Sequence, residues 1–181
     1  MDVDDAAPEA LGGSATEVAY HAAMVDTTRR WVLLAYRLPR EPSTPRIALW
    51  RRLRRLGVAQ LVDGLVALPL DRRTREQFEW LAESIEEAGG SASVWTARPS
   101  APAEERALVD RMTEAVTADY RAVTDAARAA KRSDDRVRRR TLARLRRTMR
   151  VVRARDFFPP PERAIAEAAV EELAQLAEVA Q

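Results

Sequence analysis

The chain has 181 residues, with 30 basic against 28 acidic side chains and a formal net charge of +2, a size that fits one domain or one domain with a helical extension. It has no cysteine, which excludes disulfides, thiolate metal sites and cysteine nucleophiles. No apolar run reaches the roughly 20 residues that cross a bilayer, and the start lacks the basic and apolar regions of a secretory signal, so the expectation is a cytoplasmic chain without membrane contact.

Before Arg29 every charged residue is acidic: Asp2, Asp4, Asp5, Glu9, Glu17 and Asp26. Residues 1–28 read as an acidic mobile tail, with a short helix near Thr16–Met24. His21, the one histidine, lies in this poorly patterned stretch and reads as a surface side chain.

The first strand is the nearly unbroken apolar run Trp31–Pro39. Pro42 and Pro45 bracket a tight connection. Thr44 reads as an N-cap and Pro45 as the first helical residue of a helix that ends where Gly57 takes a left-handed conformation. Leu49, Trp50, Leu53 and Leu56 recur at helical spacing and form its buried stripe. Two short apolar runs then flank Asp63-Gly64, a hairpin signal because the turn requires φ > 0. Thr74 to Gln77 reads as a capping box opening a second helix. Its buried face carries Phe78, Leu81, Ile85 and Ala88, and Gly89-Gly90 stop it. Ser91–Ala97 alternates as a last strand. Strand, helix, strand, strand, helix, strand is the order of an α/β, ferredoxin-like βαββαβ unit: four antiparallel strands with both helices on one face. This domain spans 29–98.

Residues 99–181 read as a helical C-terminal segment. Pro102, Glu104 and Glu105 open a long helix with a stripe of Leu108, Met112, Val116, Tyr120 and Val123. Ser133-Asp134-Asp135 break it and cap the next helix, whose stripe is Leu142, Leu145, Met149 and Val152. Asp156-Phe157-Phe158 and three prolines end that one. The last helix, from about Glu162, is expected to bury Ile165, Ala169, Leu173 and Leu176. Trp31, Trp50, Trp80 and Trp95 all fall on core stripes and read as packing residues.

Two basic constellations stand out. Arg37, Arg40, Ser43, Thr44 and Arg46 cluster between the first strand and a helix N-terminus, where free N–H groups favour anions. Guanidiniums and hydroxyls are suitable donors for a tetrahedral dianion. Against this, Pro45 removes one donor and Ser-Thr-Pro is an ordinary cap. The second constellation is the penultimate helix, where ten arginines lie between Arg136 and Arg155. Arg146, Arg150 and Arg153 share one face, and Asp156 is placed to orient Arg153 or Arg155. A solvated face, or docking on the acidic last helix, is the plain reading; contact with an oxyanion or DNA phosphate is the functional one. Lys131 is the only lysine, so a coding bias toward arginine also contributes. No helix-turn-helix, phosphate loop, cofactor motif or acid–base pair is visible. A nuclease would need an acidic metal ligand at the end of the first strand, where this chain reads Arg37-Leu38-Pro39-Arg40; Asp63 is explained by its turn.

The run Tyr36–Arg46, followed by Trp50-Arg51-Arg52-Leu53, resembles the N-terminal domain of the chromate resistance protein ChrB family. Further matches are Gly64–Pro69, Glu79-Trp80-Leu81 and Arg153–Phe158. The resemblance runs from about Trp31 to the C-terminus. It implies chromate resistance, with the chain a chromate-responsive regulator or sensor rather than an enzyme, and with no cofactor. Many members carry a second, C-terminal ChrB domain, for which this chain leaves no room. The partners implied are chromate or a related oxyanion, promoter DNA and a separate chain supplying that domain; a homo-oligomer is left open. The oxyanion or DNA-phosphate residues expected are Arg37, Arg40, Ser43, Thr44, Arg46, Arg146, Arg150, Arg153 and Arg155. The alternative is a non-enzymatic helper subunit acting through protein contact.

Overall fold

The structure, a computed structural model, describes residues 29–179. The expectations for the acidic tail, its short helix and His21 lie outside the described residues. The chain runs β1 (Trp31–Arg37), α1 (Thr44–Leu56), β2 (Ala59–Val62), β3 (Leu65–Pro69), α2 (Arg72–Glu87), β4 (Ser91–Ala97), α3 (Pro102–Ala130), α4 (Asp135–Ala154) and α5 (Pro161–Val179). The sheet order is β2-β3-β1-β4 with every neighbour antiparallel, as the element order predicts.

Local chemistry explains the boundaries. β1 ends at Arg37, two residues short of Pro39, because the chain turns there toward α1. Ser43, not Thr44, is the N-cap of α1; Thr44 is the first helical residue, and no side chain caps the helix start. Gly57 ends α1 at φ 71°. An added Cβ there would stand 2.7 Å from the Cβ of Arg155, so glycine is required by both conformation and space. The hairpin turn holds Gly64 at φ 76°. The capping box of α2 begins earlier than the Thr74–Gln77 reading places it. The Thr74 N–H donates to Asp71 Oδ1 at 2.6 Å, and the Asp71 N–H donates to Thr74 Oγ1 at 3.0 Å. Thr74 is itself buried, with its hydroxyl on the Pro69 carbonyl at 2.7 Å. Asp134 caps α4 by accepting the Val137 N–H.

Two cores form. In the first, Val32, Leu34, Val66 and Leu68 of the sheet meet Leu49 and Leu53 of α1 and Phe78, Leu81 and Ile85 of α2. In the second, α3, α4 and α5 pack through Tyr120, Val123, Leu142, Leu145, Met149, Val152 and Leu173. α3 belongs to both: Leu108 and Met112 join the sheet core, and residues from Val116 onward join the helical one. At about 1.5 Å per residue, its 29 residues are long enough to tie the two together.

Burial corrects three aromatic expectations. Trp31 is buried, but Trp50, Trp80 and Trp95 are 57%, 65% and 60% exposed. Trp50 follows Leu49 by about 100° around α1 and lies outside the stripe, with the Arg54 guanidinium 5.3 Å from its ring. Trp80 lies about 200° from Phe78 on α2. Trp95 pairs with Leu33, on the sheet face opposite to that of Val32 and Leu34. The last helix also differs. Ala169 and Leu173 are buried as expected, but Ile165 and Leu176 are exposed, and Ala166, Val170, Ala174 and Ala177 complete the buried face of α5. Small side chains here and at Ala127 and Ala130 of α3 let the helices approach closely, leaving the bulkier residues at the rim.

Candidate functional site

Where β1 leaves the sheet, its end faces the turn after α2. Gly89 has φ 75°, and a Cβ on Gly90 would stand 2.5 Å from the Arg37 carbonyl oxygen. This close backbone approach shapes a cavity of about 750 Å³, lined by Arg37, Leu38, Pro39, Arg40 and Arg46 on one side and Gly89, Gly90 and Ser91 on the other. The three guanidiniums are exposed, and none makes an ion pair among the described residues. No carboxylate is in the lining among the described residues. Ser43 and Thr44 stand at the adjacent start of α1 but do not line the cavity. Sequence reasoning missed the opposite wall: Gly89-Gly90 read only as a helix stop, and their meeting with Arg37 depends on the β1–β4 pairing of Arg37 with Ser91.

The arginines of α4 divide. Arg146 and Arg150 are exposed and make no ion pair among the described residues. Arg153 bonds Glu167 of α5 at 2.9 Å. Arg155 does not join that face. It turns into the groove between the two cores, pairs with Asp119 of α3, and reaches the Arg54 carbonyl at 3.5 Å. Arg54, Arg111, Asp119 and Arg155 line a cavity of about 440 Å³ there, and Arg54 and Arg111 were not among the expected site residues. Asp156 orients neither Arg153 nor Arg155. Its buried carboxylate accepts the Tyr120 hydroxyl at 2.7 Å and stands 3.5 Å from Arg163. Burial and that hydrogen bond push the Tyr120 phenol well above its ordinary range.

The acidic last helix takes part of the basic charge. Glu162 pairs with Arg121, Glu167 with Arg153 and Arg163, and Glu172 with Lys131. The hydrogen bonds from these cations hold the three carboxyls below their usual range. Arg138 is folded back onto Asp135 and the Ser133 carbonyl. Arg136, Arg139, Arg140, Arg144 and Arg147 remain exposed beside Arg146 and Arg150, an outward face of α4 without acidic residues. Asp63 accepts a hydrogen bond from Gln60 at its turn, 3.3 Å. Among the described residues there is no group of three or more His, Cys, Asp or Glu that could hold a metal, and no helix is long and apolar enough to cross a membrane.

Comparison with known proteins adds three findings. A family model described as "Protein ChrB, N-terminal" matches residues 46–180, a span that begins after Arg37 and Arg40. Protein ChrB of Cupriavidus metallidurans (strain ATCC 43123 / DSM 2839 / NBRC 102507 / CH34) is 34% identical over 141 residues, which are 76% of this chain and 43% of that protein. The chain therefore spans less than half the length of this relative. An uncharacterized protein of Mycobacterium tuberculosis, Rv0674, superposes with a TM-score of 0.49 at 18% identity, over 91% of this chain and 70% of that one.

Proposed function

This chain belongs to the ChrB N-terminal family, and on that premise we propose that it serves chromate resistance as a chromate-responsive regulator. The observation that carries this reading is the convergence of Arg37, Arg40 and Arg46 on one cavity that holds no carboxylate among the described residues. A tetrahedral dianion placed there accepts several charge-assisted N–H bonds, and its charge offsets the mutual repulsion of the guanidiniums. The bare N-terminus of α1, with no acidic residue in its first turn, adds a favourable dipole. The outward face of α4, carrying Arg146 and Arg150, then serves as a track for DNA phosphates, which specify position rather than sequence.

A second reading, a helper subunit acting through protein contact, is favoured by one observation: Arg121, Lys131 and Arg153 already dock on carboxylates of α5. The experiment that separates them is a promoter-binding titration with and without chromate, with sulfate as the control anion. The regulator binds DNA and is released by chromate far more than by sulfate. The variant Arg37→Ala/Arg40→Ala/Arg46→Ala keeps DNA binding and loses the release. Absence of promoter binding favours the helper; release that survives in the triple variant removes the cleft from the reading.

A further inference from the structure

The two edges of the sheet are treated differently. β2, at one edge, has four residues, and its pairing with β3 is shifted between Gln60 and Val62. Its Gln60 carbonyl is occupied by Arg111 Nη1 at 3.0 Å. Shortness, a bulge and a covering side chain are the devices that keep an edge from pairing with another chain. β4, at the other edge, has none of them. It has seven residues, Ser-Ala-Ser-Val-Trp-Thr-Ala, with no charge and no proline. Its register with β1 is unbroken from Arg37↔Ser91 to Trp31↔Ala97. Its outer backbone groups therefore form a straight, uncovered row among the described residues. Trp95, 60% exposed, stands near the middle of that row.

We propose that β4 is a self-pairing edge: two copies of the chain join β4 to β4 antiparallel, making one continuous sheet from two four-stranded ones. A second copy is favoured over another partner by the charge on α2, which packs against β4. α2 carries arginine at its start, Arg72, Arg73 and Arg75, and glutamate toward its end, Glu83, Glu86 and Glu87. Arg72 and Arg75 also pair with Glu76 and Glu79 one turn on. Glu83 and Glu87 line a cavity with Arg52 and Arg55 of α1, which leaves Glu86 as the exposed acid at this end turned away from α1. A twofold axis perpendicular to the sheet keeps the helices of both copies on one side and reverses their direction. The basic end of one α2 then faces the acidic end of the other, a self-complementary arrangement that a closed dimer uses twice. With the axis through Val94, Trp95 of each copy lies opposite Ser93 of the other, a large side chain against a small one.

Sedimentation equilibrium of the full chain tests this. The wild type is dimeric, and Ser93→Lys/Trp95→Lys, which sets like charges across the seam, raises the dissociation constant at least about tenfold with an unchanged circular dichroism spectrum. Charge reversal at the helix gives an independent check. Glu86→Arg and Arg75→Glu each weaken self-association, and mixing the two restores it as a heterodimer. A monomeric wild type overturns the proposal, as does a folded Ser93→Lys/Trp95→Lys variant that dimerises like wild type. Dimerisation seen only after removal of residues 1–28 also overturns it, because the edge would then be occupied by that segment.

Discussion

Replacing Tyr120 by Phe tests the join among the three C-terminal helices. The Tyr120 hydroxyl donates to Asp156 Oδ2 at 2.7 Å, across from α3 to the second residue after α4. The Asp156 side chain has no solvent exposure, its Oδ1 has no partner among the described residues, and Arg163 stands 3.5 Å away. Phenylalanine keeps the ring and its packing, so the substitution removes one hydrogen bond to a buried, charged acceptor. Such bonds contribute about 1.5–3 kcal/mol, and a carboxylate already short of partners puts the expected loss at about 2–3 kcal/mol. For a chain of this length that is a fall in Tm of about 4–12 °C. Urea unfolding and calorimetry at neutral pH measure it. In a cycle with Asp156→Asn, the double variant loses less than the sum of the single losses. The pH dependence carries a sign. Burial, and then the hydrogen bond to Asp156, raise the Tyr120 phenol above its unfolded value. Its contribution is therefore complete below about pH 10 and is lost as pH rises toward the folded value. The gap between wild type and Tyr120→Phe should stay constant near neutrality and shrink above about pH 10. A loss below about 0.5 kcal/mol, or a gap that closes at neutral pH, refutes the reasoning.

Trp50→Ala should cost less than about 1 kcal/mol in a urea melt, the value of its contact with Arg54, since the side chain is mostly exposed. A loss of several kcal/mol would place it back in the core. Gly57→Ala should cost about 1–3 kcal/mol, because the residue sits at φ 71° and its new methyl meets Arg155; an unchanged Tm contradicts that geometry. Asp71→Ala should cost about 1 kcal/mol through loss of the α2 cap, read from the same melts. In DNA titrations against salt, Arg146→Ala and Arg150→Ala should each lower the slope by about one unit, and Arg153→Ala by less because Glu167 already pairs with it. Equal slopes for all three would show that the α5 pair does not compete with phosphate.

Short-range chemistry makes much of the fold legible in the sequence alone. A glycine after a helical stripe, an Asp-Gly between apolar runs and an aspartate before a helix act within a few residues, so Gly57, Gly64 and Asp134 fall where expected. Stripes sustained over many turns are also readable: Leu108 to Val123 of α3 and Leu142 to Val152 of α4 are buried as the 3.6-residue period requires. Periodicity names a face, but it does not say where the covering elements stop. Trp50 and Trp80 lie beyond the edges of their stripes, and Trp95 lies on a sheet face that α3 covers only in part. The buried face of α5 is decided by the close approach of alanines on two helices distant in sequence. The candidate site shows the same division. The arginines at the end of β1 can be read from their clustering, whereas the wall formed by Gly89 and Gly90 exists only because β4 pairs with β1. Arg153 and Arg155 are two residues apart, yet one meets α5 and the other enters the groove between the cores. That choice is set by where Glu167 and Asp119 stand in space, which no local pattern around residue 155 encodes.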